Sequence, residues 1–399
     1  TSVYFFGVWW HPPSSPHLEF GATQKFSVSR VESRQSTVDS QRSKQDEMII
    51  GHETRHPGVP SANRSFVIFT TKDTVGQSRG RDTGHEKRIQ QVDRCSKFSA
   101  MSSHEPEQLK PHPLAKEFSC IRMWIPASHN HVVVVAMNRI RKRNAISAKM
   151  WREIGEVFSI LGRTGDDCRA IVLTGAGSKA FTAGIDITDE AFGLAAHGDD
   201  GQDQDVARRG LRFYPQILDM QRCFTAVEEC PVPVIAAIDG SCIGAGVDLA
   251  SACDIRICSS TAKFSVREVK IGLAADVGTL QRFPKITGND SRIRELCLTG
   301  EIFSAQEAAR IGFVSRISDR LMEDALKLAS TIAGNSPVAV VGTKRSLVYS
   351  RDHTVADGLV HIATHNTAAL MTDDIPTAFM SAKQKKDARF PNIPKLSKL

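Results

Sequence analysis

The chain has 399 residues, of which 41% are hydrophobic and 24% charged, as is ordinary for a globular protein of one or two domains. Its nine cysteines form no CxxC pair, which predicts reduced thiols in an intracellular compartment rather than a disulfide framework. No apolar run is long enough to span a membrane. The net charge of +7 permits a nucleic acid or a small phosphorylated ligand as partner but requires neither.

Residues 1–115 are rich in Ser, Arg, Gln, His and Thr and show no sustained helical or strand periodicity. Because this composition buries little apolar surface, the extension is predicted to be disordered. The segment His52–His56 (HETRH) matches the HExxH zinc-protease pattern. Gly51 before it and Pro57 after it disfavour the helix that such a zinc site needs, so no metal site is expected.

From about residue 116 the pattern changes to alternating strands and helices. Apolar and β-branched runs predict four strands, at residues 131–138, 169–174, 233–238 and 252–258. Apolar residues at helical spacing predict helices at residues 148–161, 305–311, 322–333 and 338–349. The pattern predicts an α/β domain over residues 116–303 and a helical region over residues 304–390.

Three carboxylates, Asp248, Glu268 and Asp276, lie in one apolar stretch between residues 235 and 278. Charged residues are rare in such surroundings unless they are paired or functional. Loss of hydration raises a carboxyl pKa towards neutrality, which suits proton transfer. The stretch therefore predicts acid–base chemistry.

The alternative is that these carboxylates are structural and pair with nearby arginines. Three arginines are close in sequence, namely Arg256, Arg267 and Arg282. A neighbouring acid, Asp254, is expected to have such a structural role.

Two small-residue turns accompany the acids, Ala180–Ile187 (AFTAGIDI) and Ile243–Leu249 (IGAGVDL). Glycine allows close approach of a ligand to the backbone, and the N–H of Ile185 is expected to be a free donor in the first turn. The N–H of Ala245 is expected to point outward at the start of a helix, where donors are unpaired and the dipole is positive. Two such donors converging on one carbonyl oxygen would form an oxyanion hole.

The segments AFTAGIDI, PVIAAIDGSCIGAGVDLASACDIRI and FSVREVKIGLAADVGTLQRFPK resemble the crotonase (enoyl-CoA hydratase/isomerase) superfamily, over residues 118 to 390. Within it, GLAADVGTLQR is most similar to the Δ3,5-Δ2,4-dienoyl-CoA isomerases. The resemblance implies a crotonase-like spiral of ββα units with a C-terminal helical trimerisation region. It also implies an acyl-CoA thioester substrate, no cofactor or metal, and a homotrimer or homohexamer.

The same resemblance implies roles for individual residues. Glu268 and Asp276 would transfer protons, with Glu268 assigned to C2 of the acyl chain and Asp276 to C6, while Asp248 would position or tune them. The N–H groups of Ile185 and Ala245 would hold the thioester carbonyl, although many relatives have Gly in place of Ala245. The residues expected to bind substrate or CoA are Arg139, Lys142, Asn144, Ala183, Gly184 and Asp186.

The activity implied is conversion of 3,5-dienoyl-CoA to 2,4-dienoyl-CoA in fatty-acid β-oxidation. An enoyl-CoA hydratase or Δ3-Δ2-enoyl-CoA isomerase is the alternative on the same scaffold, and Asp276 argues against it because hydratases of the family have a small residue there. A more distant alternative is an RNA-binding crotonase-like protein. The chain has no basic patch with interleaved aromatic residues, so no nucleic-acid partner is expected.

The tail over residues 391–399 ends in Ser397-Lys398-Leu399. A C-terminal S-K-L is the tripeptide that the peroxisomal import receptor reads. It predicts a peroxisomal location and that receptor as a partner, and it leaves an additional mitochondrial pool open.

Overall fold

The computed structural model describes residues 109–163, 167–177, 179–189 and 205–394. Three sequence predictions lie wholly or mostly outside these residues: the disorder predicted for residues 1–115, of which 109–115 are described, the HExxH match and the C-terminal tripeptide. The folded elements start earlier than predicted, because Leu109–Pro111 already pairs antiparallel with Ile121–Pro126. Strand pairing uses backbone groups, so these three residues need no hydrophobic periodicity to join a sheet.

The described residues contain eleven strands and ten α-helices. The strands are β1 Leu109–Pro111, β2 Ile121–Pro126, β3 Val132–Met137, β4 Ala170–Gly175, β5 Ala180–Thr182, β6 Val234–Ile238, β7 Ser241–Ile243, β8 Ile255–Cys258, β9 Lys263–Ser265, β10 Phe303–Ser304 and β11 Arg316–Ile317. The helices are α1 Ala148–Ile160, α2 Val206–Glu229, α3 Ala245–Ala252, α4 Thr279–Arg282, α5 Asp290–Thr299, α6 Ala305–Arg310, α7 Leu321–Ala333, α8 Pro337–Ser350, α9 Val355–Ala369 and α10 Asp374–Lys383. None of these helices is both long enough and apolar enough to cross a membrane.

From β4 to β9, consecutive strands alternate between two sheets. The larger sheet has the order β1-β2-β3-β4-β6-β8-β11 and the smaller sheet has the order β10-β9-β7-β5. The strands β4, β6 and β8 run parallel in the first sheet, and each is followed by a strand that joins the second, β5, β7 or β9. Each pair of strands thus adds one strand to each sheet before the chain turns into helical structure. This arrangement confirms the predicted spiral of ββα units.

The strand β3 is buried on both faces of the larger sheet, which explains why Val132–Val135 shows no alternation of polar and apolar residues. On one face, Val132 and Val134 pack in a cluster with the small side chains of α7, such as Ala329. On the other, Val133 and Val135 join the main core together with residues of α1 and α2. The sheet is therefore a rigid support for the loops at its strand ends.

The strand predicted at 252–258 begins later, at Ile255. Ala252 ends α3, and Asp254 occupies the turn that follows. The Oδ2 atom of Asp254 accepts a hydrogen bond from the N–H of Val234 at 2.7 Å and lies 2.7 Å from Nζ of Lys344. Asp254 is therefore a structural residue, as its sequence context indicated.

Candidate active site

The turn after β5 is fixed by a short bridge to the segment before α1. The N–H of Ile146 donates to the carbonyl of Gly184 at 2.8 Å, and the N–H of Asp186 donates to the carbonyl of Ile146 at 2.9 Å. In a parallel bridge the residue between these two contacts directs its own N–H to the opposite side. That residue is Ile185, so its N–H points away from the bridge.

The turn after β7 lies directly against this first turn. Gly244 has φ 54° and donates its N–H to the carbonyl of Ser265 at 2.9 Å. Ala245 is the first residue of α3, so its N–H has no carbonyl one turn earlier to bind. A Cβ atom built on Gly184, which has φ 93°, would lie 2.7 Å from the carbonyl oxygen of Ile243 and 3.8 Å from the nitrogen of Ala245.

Close packing of the two turns therefore requires glycine at position 184 and brings two backbone donors to one place. Among the described residues, neither the N–H of Ile185 nor that of Ala245 has a hydrogen-bond acceptor. Unpaired donors beside a helix N-terminus can stabilise a developing oxyanion. The two turns thus bring together the donors of the oxyanion hole that the sequence predicts, and the oxyanion hole itself stays a prediction.

Asp248 lies in the first turn of α3 and its side chain is fully buried. The N–H of Thr279 donates to its Oδ1 at 2.5 Å. Burial raises the pKa of Asp248 to about 6, although the hydrogen bonds from Thr279 oppose the rise. Its Oδ2 has no hydrogen-bond donor among the described residues.

Glu268 begins a 3-10 helix, and only 9% of the residue is exposed. Its Oε1 lies 3.3 Å from the position that a Cβ of Gly244 would occupy, so the carboxylate lies next to the residue that precedes Ala245. Burial, followed by the negative charge of Asp248, raises the pKa of Glu268 to about 7. Oε2 of Glu268, like Oδ2 of Asp248, is buried without a hydrogen-bond partner among the described residues, and burial beside a second carboxylate favours the protonated form.

Asp276 is the most exposed of the three acids and lies in the loop before α4. Its carbonyl oxygen accepts a hydrogen bond from Nε2 of Gln221 on α2, at 2.6 Å. Loss of hydration raises the pKa of Asp276 above its ordinary value. Its charge also raises the pKa values of Asp248 and Glu268, so the three carboxylates form one electrostatic group.

The alternative in which nearby arginines pair with these acids does not hold. Arg256 donates to the carbonyls of Phe313, Ala250 and Cys253. Arg267 donates to the carbonyl of Gly300, and Arg282 pairs with Glu228. No Lys or Arg among the described residues forms an ion pair with Asp248, Glu268 or Asp276.

The basic segment after β3 contributes both structural and exposed cations. Nη2 of Arg139 lies 2.9 Å from Oδ2 of Asp186, and Nη1 donates to the carbonyl of Ala145 at 2.6 Å. Asp186 also accepts from Thr188, and hydrogen bonds from Thr188 and Arg139 lower its pKa despite some desolvation. Since Asp186 follows Ile185, this ion pair holds the turn after β5 in place.

Asn144 has a structural role in the same segment. Its side chain is buried, accepts from the N–H of Arg139 at 3.0 Å and donates to the carbonyls of Ala176 and Ala180. Lys142 is different, because it is exposed and its Nζ contacts only the hydroxyl of Thr188, at 3.3 Å, among the described residues. Lys142 is thus the member of this predicted set that presents a cation to solvent.

The contacts of two residues at the site were not predicted from the sequence. Gln221 and Thr279 act on the acids through hydrogen bonds that join residues 55 and 31 positions apart. Thr279 does lie within the GTLQR motif, whereas nothing in the sequence around Gln221 indicates its contact. Within the described residues, no three His, Cys, Asp or Glu side chains are arranged to hold a metal ion.

Comparison with known proteins adds an independent observation. Residues 127–390 match the family described as Enoyl-CoA hydratase/isomerase. The chain belongs to this family. Its match spans both sheets from β3 onwards, the two turns, the three acids and the C-terminal helices.

Individual relatives show which members of the family the chain resembles. The chain is 44% identical to the mitochondrial Delta(3,5)-Delta(2,4)-dienoyl-CoA isomerase of Rattus norvegicus, over 74% of this chain and 88% of that protein. It is 39% identical to the peroxisomal Delta(3,5)-Delta(2,4)-dienoyl-CoA isomerase of Arabidopsis thaliana, over 70% and 98%. The crystal structure of enoyl-CoA hydratase from Bacillus anthracis superposes with a TM-score of 0.59 at 28% identity, covering 68% of this chain and 99% of that one.

Proposed function

We propose that this protein converts 3,5-dienoyl-CoA to 2,4-dienoyl-CoA by moving a proton from C2 to C6 of the acyl chain. The observation that carries the proposal is the third carboxylate, Asp276, which is exposed whereas Asp248 and Glu268 are buried beside the two glycine turns. Hydration needs one site that activates a water molecule, whereas this isomerisation needs acid–base groups at two separated carbons. The 44% identity to the rat dienoyl-CoA isomerase supports the same conclusion.

The first step is removal of a proton from C2. The thioester oxygen accepts hydrogen bonds from the N–H groups of Ile185 and Ala245, and the carboxylate of Glu268 takes the C2 proton. Glu268 suits this role because its carboxylate adjoins Gly244, one residue from the oxyanion donor. The negative charge spreads over the oxygen and the conjugated carbons as far as C6, and the two N–H groups stabilise it.

The second step is addition of a proton at C6. Asp276 in its protonated form donates that proton, and the double bonds become those between C2 and C3 and between C4 and C5. Glu268 has gained one proton and Asp276 has lost one, so exchange with solvent restores both groups. All the steps are proton transfers and need no metal or redox cofactor.

Binding of the CoA part is assigned to the loop after β3. Lys142 offers an exposed cation for a phosphate of CoA, while Arg139 and Asp186 hold the adjoining turn. Ala183 and Gly184 let the thioester approach the backbone. Asn144 contributes by shaping the loop.

A homotrimer or homohexamer fits the exposed apolar residues of the C-terminal helices. Leu359 and Val360 on α9, Met371 in the following turn and Phe379 on α10 are each more than 60% exposed in the single chain. Apolar surface of this kind is typical of subunit interfaces.

The decisive assay incubates the purified chain with a 3,5-dienoyl-CoA thioester and follows the absorbance of the conjugated 2,4-diene. We expect turnover without added metal. Absence of turnover together with efficient hydration of a 2-enoyl-CoA would overturn the proposal in favour of a hydratase. Salt-dependent RNA binding without isomerase activity would favour the RNA-binding alternative.

We also propose a peroxisomal location, read from Ser397-Lys398-Leu399, with a mitochondrial pool left open. Relatives named as mitochondrial and as peroxisomal support both compartments. Deletion of the last three residues should leave a fluorescently tagged chain in the cytosol. Unchanged peroxisomal import of the truncated chain would contradict the proposal.

A further inference from the structure

One face of α2 contacts the loop that carries Asp276. Gln221, Thr225 and Glu228 are spaced by four and three residues, so they project from the same side of the helix. All three make polar contacts with the segment between Asp276 and Arg282.

Two consecutive carbonyl groups of this loop are held by side chains. The amide of Gln221 donates to the carbonyl of Asp276 at 2.6 Å, and Nη1 of Arg282 approaches the carbonyl of Val277 at 3.5 Å. The N–H of Thr279 donates to Asp248 on the other side of the loop. Hydrogen bonds therefore hold three backbone groups next to the Asp276 side chain, namely the carbonyls of residues 276 and 277 and the N–H of residue 279.

Arg282 is itself locked in one orientation. Its Nε and Nη2 atoms donate to the carboxylate of Glu228 at 3.0 to 3.2 Å, and Nη2 also donates to Oγ1 of Thr225 at 3.1 Å. Gly278 has φ 133°, and a Cβ atom there would lie 1.9 Å from Nη1 of Arg282. The guanidinium group thus occupies the space that any other residue at position 278 would fill.

The carboxylate that holds Arg282 is anchored from a second side. Nη1 of Arg351, directly after α8, lies 2.5 Å from Oε1 of Glu228. Burial alone would raise the pKa of Glu228, but the hydrogen bonds and charges of Arg351 and Arg282 outweigh burial and lower it. A bidentate, buried pair of this kind has little freedom to reorient.

We propose that Gln221 and Arg282 are positioning residues that fix Asp276 for proton transfer by holding the two consecutive carbonyl groups that follow its Cα, those of residues 276 and 277. The inference rests on the proposed function. Neither side chain needs to contact the substrate, because each acts through the carbonyl groups of residues 276 and 277. Displacement of a reacting group by about 1 Å can cost roughly 100-fold in rate, so a loosened loop should be visible in kcat.

The test uses Gln221→Met, which removes the hydrogen bond without changing charge, and Arg282→Lys, which keeps the charge but loses the bidentate contact. Each variant should lower kcat for the 3,5-dienoyl-CoA thioester about 10- to 100-fold, with KM within about threefold of the wild type. Matched controls are Arg222→Gln, beside Gln221 and exposed with its ion pair to Asp219, and Arg294→Lys, an exposed arginine on α5. Both controls should retain wild-type kcat.

Hydrogen exchange at C2 distinguishes a positioning role of Gln221 from a general loss of structure at the active site. In D2O, exchange of the C2 hydrogen depends on Glu268, so Gln221→Met should retain C2 exchange while isomerisation falls, as Asp276→Asn should also do. Added to Asp276→Asn, Gln221→Met should reduce kcat by less than about threefold further, since a side chain that no longer transfers protons cannot be mispositioned.

Different negative results contradict different proposals. If the two losses multiply in the double variant, or if exchange and isomerisation fall together in Gln221→Met, the positioning role is wrong while the activity stands. If the wild-type enzyme does not isomerise 3,5-dienoyl-CoA at all, the proposed function and this inference are both wrong. Because Arg282→Lys changes a buried ion pair, Gln221→Met is the deciding variant if Arg282→Lys unfolds.

Discussion

Replacing Glu268 with Gln should make the protein more stable at alkaline pH while abolishing activity. The pKa of Glu268 is about 7 in the folded chain, against an ordinary value of 4.5, mainly because the group is buried and secondarily because of the charge of Asp248. The folded state therefore binds a proton more tightly than the unfolded state does. Stability contributed by this proton is fully present below about pH 4.5 and is lost as the pH rises through 7.

The magnitude follows from the two pKa values. One pKa unit corresponds to about 1.4 kcal/mol, so ionisation of Glu268 should cost roughly 3 kcal/mol of folding free energy at pH 8 and roughly 1 kcal/mol at pH 5. Gln has nearly the same shape and cannot ionise. The stability of Glu268→Gln relative to the wild type should therefore rise by about 2 kcal/mol between pH 5 and pH 8.

Thermal and urea unfolding at the two pH values measure this difference, with the oligomer concentration held constant. Glu117→Gln, at an exposed position, is the matched control and should show the same difference from the wild type at both pH values. A Glu268→Gln variant whose relative stability is equal at pH 5 and pH 8, or falls at pH 8, would refute the account of a buried, unpaired carboxylate.

Three further predictions concern activity. Gly184→Ala places a Cβ atom 2.7 Å from a backbone carbonyl oxygen at φ 93°, so it should displace the N–H of Ile185 and lower kcat by roughly 100-fold in the same diene assay. Lys142→Gln should raise KM for CoA thioesters several-fold with kcat unchanged, whereas an unchanged KM would remove Lys142 from the binding site. Glu268→Gln and Asp276→Asn should each lower kcat by at least roughly 100-fold while CoA thioesters still bind, and full activity of Asp276→Asn would contradict the two-site mechanism.

The parts of the fold that the sequence predicted are those in which burial imposes a pattern. The strand around Val132–Met137 is buried on both faces and therefore reads as an uninterrupted apolar run. The strands β1, β5, β7 and β9 have only three residues each, too few for any periodicity, and were not predicted. Their positions depend on backbone pairing with neighbours, which leaves little trace in local composition.

The residues of the candidate site also divide into those that the sequence predicted and those that it did not. The acids and the two turns could be predicted from the sequence because a carboxylate or a glycine is conspicuous in an apolar stretch. Gln221 and Glu228 are ordinary residues of a polar helix face, and their partners lie 55 and 54 positions away. Asn144 was predicted to bind substrate, and its side-chain amide binds backbone groups of Arg139 in its own loop and of Ala176 and Ala180 in the next ββ unit.

Glu228 and Glu268 show what separates a structural acid from a chemically active one in this protein. Both are 9% exposed, so burial alone does not distinguish them. Glu228 has two guanidinium partners and its pKa is lowered, whereas Glu268 has a second carboxylate as its neighbour and its pKa is raised to about 7. The loop of Asp276 leads into α4, whose last residue, Arg282, is bound to Glu228. If Arg282 were free to turn towards Asp276, its charge would lower the pKa of that carboxyl and oppose the protonated form that donates to C6 in the proposed mechanism. We therefore expect the ion pair between Arg282 and Glu228 to favour proton transfer by Asp276.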